Sequence, residues 1–169
     1  PDLRRIAEED AGIIRPHGRV VTAPQPPAAL EVLEQAAATQ EATLVCVGRE
    51  IRYRTLRASP AGVRCTVVGR RQRYRDLVVP LIGRHQALNA AAAVGAVELL
   101  EDAGFVVPEA AIRSGLAGLH WPARIEIVRR HPLVVVDVAH NPVSFRALRA
   151  VLDETFRGRR LLLVIGLLG

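Results

Sequence analysis

The sequence predicts an α/β fold: a parallel layered sheet with helices, a small antiparallel hairpin sheet, and then the opening elements of a second α/β unit. Three observations carry this. Residues 3–47 alternate helix-period and strand-period apolar patterns, as a layered parallel sheet requires. Residues 48–82 change to short alternating runs broken by Ser59-Pro60-Ala61-Gly62 and Gly69-Arg70, which is hairpin punctuation. The wholly apolar run Leu133–Val136, followed by a helical stretch, reads as a strand at the centre of a parallel sheet and its crossover helix.

Element by element, Leu3, Ile6 and Ala7 share one face of a helix over 3–14, with Gly12 as its stop. After a turn at Arg15-Pro16-His17-Gly18, Arg19–Thr22 is a short strand. A helix over 27–39 presents Ala29, Leu30, Leu33 and Ala36 or Ala37, and Thr43–Val47 is a buried strand. In the hairpin region 48–82, Val63, Cys65, Val67, Leu77, Val79 and Leu81 fall toward the buried face. Helices follow over 85–103, stopped by Gly104, and from Pro108 to near Gly118. Residues 125–128 and 133–136 are strands, 143–156 a helix, and 161–165 one more central strand. A boundary at Arg129–Pro132 divides the chain into 1–130 and an incomplete unit, 131–169.

Composition narrows the function. Half of the 169 residues are hydrophobic and about a quarter charged, which is globular and not disordered. No apolar run is long enough for a membrane span, and no basic-then-apolar leader opens the chain. Cys46 and Cys65 make neither a disulfide framework nor a zinc site, as suits reduced thiols in a cytoplasmic protein. There is no Lys, so a Walker-type phosphate loop does not lie within these residues and a lysine Schiff base is excluded. The net charge of +6 raises nucleic acid as a partner. Scattered arginines and only two Tyr and three Phe argue against it.

Four constellations can carry chemistry. In the first, His85 and Asn89 are four apart at the start of an Ala-rich helix, on one face of the end that attracts phosphate. A solvated amide and a ligand contact account equally well for Asn89. In the second, Arg124 and Glu126 point to one side of a strand, where the carboxylate can hold the guanidinium fork for a phosphate oxygen. A surface ion pair is the simpler account, and Trp121 reads as a core plug. The third is Asp137-Val138-Ala139-His140-Asn141-Pro142 at the carboxyl end of an apolar strand, where open α/β sheets bind ligands. Asp137 can accept from a ribose hydroxyl, His140 can meet phosphate or a metal-bound water, and Asn141 can cap the helix with Pro142 at its first position. The fourth, Glu8-Glu9-Asp10, is an exposed acidic helix face or a contributor to a Mg²⁺ site.

Taken in order, these segments resemble the folate branch of the Mur ligase superfamily, dihydrofolate synthase/folylpolyglutamate synthase. Ile6–Pro16 is similar to that family's IAxEKAGIIKPG segment, Gly83–Ala93 to its GxHQxxNAxxA helix, Pro122–Glu126 to PGRxE and Asp137–Pro142 to DGAHNP. Val164–Gly169 looks like the strand that leads into the C-terminal domain. The resemblance covers essentially the whole chain. It implies the latter part of a central ATP-binding domain and the start of a Rossmann-like C-terminal domain. It also implies ATP and Mg²⁺ as cofactors, and a folate-type substrate and L-glutamate joined through an acyl phosphate. Asn89, His85, Arg124, Asp137 and Asn141 would then contact the nucleotide, with His140 in the catalytic cleft and Asp10 at the metal. The phosphate loop and the Glu and His metal ligands would lie upstream of Pro1, and the rest of the C-terminal domain beyond Gly169. Alone, the segment is expected to be inactive.

The departures are specific. Asp10 stands where the family commonly carries a Lys that becomes carbamylated, Ala123 replaces Gly in PGRxE, and Val138 replaces Gly in DGAHNP. The Ala and Val changes are mild unless those positions need φ > 0. Two other readings stay open: a Mur-type ligase acting on another carboxylate, and a diverged nucleotide-binding module without ligase activity.

Overall fold

The computed structural model describes residues 2–166. Helix α1 (Leu3–Ala11) starts at Asp2, whose carboxylate accepts from the Arg4 amide. It buries Ala7 and Ala11 against Ala29 and Val32 of α2 (Pro27–Thr39), small side chains that let the two helices approach closely. Strands β1 (Arg19–Thr22) and β2 (Thr43–Cys46) flank α2 in sequence and pair in parallel, Arg19 opposite Thr43 through Thr22 opposite Cys46. This is the predicted strand–helix–strand unit.

Strands β3 (Arg52–Ser59), β4 (Gly62–Val68) and β5 (Arg73–Val79) form the antiparallel sheet, in that order. Val63, Cys65, Val67, Leu77 and Val79 are all buried, as alternation predicts. Their inner face meets α3 (Gln86–Glu101) and α4 (Glu109–Ala117) in the main core. Ala87, Ala90, Ala91 and Gly95 make the contact face of α3 nearly flat, and a methyl at Gly95 would collide with Ile51. At the far end of α3, the fully buried Glu98 accepts from the amides of Arg70 (2.6 Å) and Arg71 (3.3 Å) and from Tyr74 Oη (3.1 Å). Arg70 and Arg71 also bind Asp102. Their hydrogen bonds hold that carboxyl down at about 2.

The last unit consists of β6 (Glu126–Arg130), β7 (Leu133–Val136) and α5 (Pro142–Thr155). Here two expectations fail. β7 is not the centre of a parallel sheet: it pairs antiparallel with β6, and Val134 and Val136 are more than a third exposed. Residues 161–165 are not a strand: Leu161–Ile165 are irregular and exposed, Leu162 at 93 %. A strand needs a neighbour for its backbone N–H and C=O groups, and no described residue offers 161–165 one. An apolar run alone does not say which neighbour it has. Leu167–Gly169, the end of the motif at 164–169, lie outside the described residues.

Arg129 and Arg130 are the last residues of β6, paired with Val134 and Leu133, and His131-Pro132 is the turn into β7. Ile125, Val151 and Phe156 bury themselves against Ile82, which links this unit to the segment before α3. Arg84 and Glu154 form an ion pair across the same junction. Gly83, at φ +110°, lies between them: a Cβ there would sit 2.6 Å from the His85 ring and 2.8 Å from Val151 Cγ2.

Candidate functional site

At the head of α3, three side chains form a chain of hydrogen bonds. Asn89 Nδ2 donates to Gln86 Oε1 at 2.8 Å, and Gln86 Nε2 lies 3.0 Å from His85 Nε2. Gln86 is almost wholly buried, so it fixes the partly exposed Asn89 amide in one orientation. The predicted sharing of a face by His85 and Asn89 therefore holds, with Gln86 as its physical basis. Gln86 was not singled out from the sequence, although its spacing of three from Asn89 is the helical contact spacing. Burial pushes the His85 imidazole below its usual range. The nearby Arg124 charge adds to that shift and Asp137 opposes it, so these residues share one electrostatic neighbourhood.

The segment Trp121–Ile125 reaches this point as an irregular loop, not a strand. Ala123 (φ +57°) and Ile125 (φ +51°) both take left-handed backbone conformations. Three hydrogen bonds hold them. Glu126 Oε2 accepts from the Ala123 amide at 2.8 Å, Asp137 Oδ2 accepts from the Ile125 amide at 3.0 Å, and the Val138 amide donates to the Ala123 carbonyl at 3.1 Å. The expected Arg124–Glu126 fork is thus absent. Two positive-φ residues break the alternation that would put both side chains on one side, and Glu126 binds backbone instead. Arg124 makes no ion pair or side-chain hydrogen bond among the described residues. Trp121 is no core plug: it is 58 % exposed.

Arg124 and Trp121 line two cavities, which also share Leu81 and Leu119. The larger, of about 340 Å³, has Ala90, Ala93, Leu116 and Val79 as apolar walls, with Gln86, Asn89 and Arg124 as polar groups. The smaller, of about 190 Å³, adds His120, Glu126, Arg130 and Pro60. An apolar slot with a few fixed amides and one unpaired guanidinium suits a planar ring attached to an anion.

The Asp137–Pro142 segment joins from the tip of β7. Asp137 Oδ1 accepts from the Ala139 amide at 2.8 Å, so each carboxylate oxygen already holds one backbone N–H and keeps lone pairs for another donor. Asn141 caps α5 by accepting from the Ser144 amide, Ser144 Oγ receives the Asn141 amide in return, and Pro142 is at the first position. The capping expectation holds, and Ser144 is the partner that sequence reading missed. His140 is exposed, with Nδ1 3.0 Å from the Val138 carbonyl and Nε2 3.5 Å from Asn141 Nδ2. Neither His140 nor Asn141 lines either of these two cavities.

Asp10 stands apart, exposed on α1. Among the described residues no group of three or more His, Cys, Asp or Glu side chains is placed to hold a metal ion. No described helix is long and apolar enough to cross a membrane.

Residues 123–169 match the family model described as "Mur ligase, glutamate ligase domain". Over 167 residues, 98 % of the chain, it is 33 % identical to the dihydrofolate synthase/folylpolyglutamate synthase of Bacillus subtilis. It is also 33 % identical to the enzyme of that description from Mycobacterium tuberculosis, over 99 % of the chain. It spans 39 % and 36 % of those proteins' lengths. Among solved structures, an FPGS–AMPPCP–folate complex superposes with a TM-score of 0.86 at 32 % identity, covering 91 % of this chain and 38 % of that one. Mycobacterium tuberculosis folylpolyglutamate synthase complexed with ADP gives 0.81 at 33 % identity, covering 90 % and 35 %.

Proposed function

Over the segment it spans, the chain belongs to the dihydrofolate synthase/folylpolyglutamate synthase family of Mur ligases, and we propose that it forms the nucleotide-binding side of an ATP-dependent glutamate ligase. The full-length enzyme would join L-glutamate to dihydropteroate or a folate in the cytoplasm. ATP would supply the phosphoryl group that activates the substrate carboxylate. The observation that carries this reading is the larger cavity, where Asn89 is held by a buried Gln86 and Arg124 has no internal partner.

The residues present fit a nucleotide. The Ala90 and Ala93 wall and the exposed Trp121 ring offer a slot for a flat base, and the Asn89 amide can pair with its edge. Arg124 would bind phosphate oxygens, with the loop held in place by Glu126 and Asp137. Asp137 would accept from ribose, and His85, His140 and Asn141 would border the same cleft. His140 at the α5 N-terminus is the nearest candidate for a direct catalytic contact. Mg²⁺ does not fit a site made of the described residues alone. A metal role for Asp10 therefore requires ligands from elsewhere in the full-length enzyme, and no step is assigned to it.

In this reading the domain join would lie just before Ala123 instead of at Arg129–Pro132. β6 pairs with β7 and packs with α5, and the glutamate ligase domain match begins at that residue. Residues 1–122 would then close the central domain, with 123–169 opening the C-terminal one.

The test is glutamate-dependent phosphate release by the full-length protein, offered dihydropteroate and then a reduced folate. Activity with either, lost in Arg124→Ala and Asn89→Ala, is the expected result. Nucleotide binding with no release on any folate substrate would favour a ligase for another carboxylate or a diverged binding module. No nucleotide binding would overturn the assignment of the cavity.

A further inference from the structure

The outer face of the β3–β5 sheet carries a charge pattern that nucleotide binding leaves unused. Directly opposed residues of an antiparallel ladder share a face. Val63, Cys65 and Val67 point into the core, so Arg64, Thr66, Val68 and the residues opposite them point out. Arg52 opposes Val68, Arg54 opposes Thr66 and Arg57 opposes Arg64. From the other side, Arg73 opposes Val68, and Arg75 lies in the bulge facing Thr66. These six arginines are all exposed.

Asp76 is the one acid between Arg52 and Val79, and Arg64 Nε holds it at 2.8 Å. Arg52, Arg54, Arg57, Arg73 and Arg75 make no ion pair or side-chain hydrogen bond among the described residues. Same-side residues along a strand are about 6.6–6.8 Å apart and neighbouring strands about 4.8 Å, so the sheet anchors these arginines at regular spacing and their guanidinium groups together concentrate anions.

The chemistry of the face selects among polyanions. Guanidinium forks match carboxylates in geometry as well as charge. Tyr53 and Tyr74 both oppose Val67, on the side of the sheet away from the arginines; Tyr74 is buried and Tyr53 is 39 % exposed on the edge strand β3, so the arginine face itself carries no ring for bases to stack on. Pro60, in the β3–β4 turn, lines the smaller cavity beside Arg124, which places one end of this face at the margin of the site. Each glutamate added through its amine consumes one carboxylate and brings two, so every round leaves the product one negative charge richer.

We infer that the arginine face of the β3–β5 sheet is a docking surface for the oligoglutamate chain of the product, an inference that rests on the function proposed above. The full-length protein is titrated into fluorescein-labelled tetraglutamate at low and high salt and read by anisotropy. Binding that weakens with salt is expected. The variant Arg52→Gln/Arg54→Gln/Arg75→Gln should weaken it about tenfold or more, a loss of at least about 1.4 kcal/mol. The corresponding Arg→Lys variant should retain part of it. Turnover of a substrate bearing one glutamate should be unchanged in both.

Binding that is absent, or identical in the Gln variant, would overturn the inference, as would displacement of the probe by single-stranded RNA at far lower charge concentration. Circular dichroism and thermal melting of the Lys variant distinguish a lost surface from a lost fold. The ligase reading fails separately, through absent phosphate release with folate substrates, whatever the probe does.

Discussion

Asp137 Oδ2 accepts the Ile125 amide at 3.0 Å, so the tip of β7 holds the loop that carries Arg124. Its other oxygen holds Ala139 at 2.8 Å. The same carboxylate would meet ribose, so positioning and binding are coupled in one residue. Asp137→Ala should cost about 1–3 kcal/mol of stability, because two partly buried amides lose their acceptor. It should also weaken nucleotide binding well beyond the loss of one ribose contact, since Arg124 is released. Asp137→Asn keeps one acceptor oxygen and should fall between. Urea unfolding and nucleotide calorimetry on the three proteins check the order. Binding lost equally in both variants, with stability unchanged, would separate the two roles.

Ala123 occupies φ +57°, a region that disfavours any side chain by about 1–2 kcal/mol. The structure thus answers the question raised by Ala in place of Gly: the position does need the left-handed conformation. Ala123→Gly relieves the strain but gains freedom in the unfolded chain, so the net gain should be about 0–1 kcal/mol. Ala123→Val, with a branched Cβ, should lose about 1–2 kcal/mol. Thermal melts should rank Gly at or above Ala, and Ala above Val. A Val variant as stable as Ala would mean that the loop adopts another conformation.

Local chemistry made much of this molecule legible in sequence. Alternation placed Val63, Cys65 and Val67 in the core, and Asn141-Pro142 announced the start of α5. Pairing partners were not legible. Leu133–Val136 is apolar enough for a central strand, yet its apolar pattern carries no information about whether β6 or a parallel neighbour takes its hydrogen bonds. The site loop was misread for a related reason. Period-two reasoning assumes extended backbone, and two left-handed residues within Ala123–Ile125 remove that assumption without changing composition. Gln86 was passed over and Glu126 was given the wrong partner, because what they bind is an amide side chain and a backbone N–H, which no motif spells out.

His85 supplies a pH test with a defined sign. Burial, helped by Arg124, lowers its folded-state pKa below the ordinary histidine value of about 6.5. At pH values under 6.5 the unfolded chain takes up a proton that the folded site resists. The contribution of His85 to stability is therefore fully present above pH 6.5 and is lost as pH falls toward the folded pKa. Between about pH 8 and about pH 5, the wild-type protein should lose more stability than His85→Gln, which cannot titrate. Urea midpoints across that range give the comparison, and the His85 ring resonances should titrate with a midpoint under 6.5. Parallel pH profiles for the two proteins would remove His85 from the buried cluster.

Glu98 offers the sharpest test of the packing that supports the site from below. It lies wholly inside α3 and binds the Arg70 and Arg71 amides and the Tyr74 hydroxyl. Gly69 leaves room for it: a Cβ there would collide with the carboxylate and force it away from its hydrogen-bond partners. Glu98→Ala would leave the buried Tyr74 hydroxyl and two turn amides without acceptors and should cost about 3 kcal/mol or more. Glu98→Gln fills the same volume but turns an NH₂ group toward a donor, and should cost about 1–2 kcal/mol. Because α3 carries Asn89 at its other end, a loosened β4–β5 turn need not disturb nucleotide binding. Glu98→Gln should therefore lower the melting temperature while leaving nucleotide affinity within about twofold, a difference under roughly 0.5 kcal/mol. Calorimetry below the melting transition decides it: an affinity that falls with stability would show that the two ends of α3 are energetically coupled.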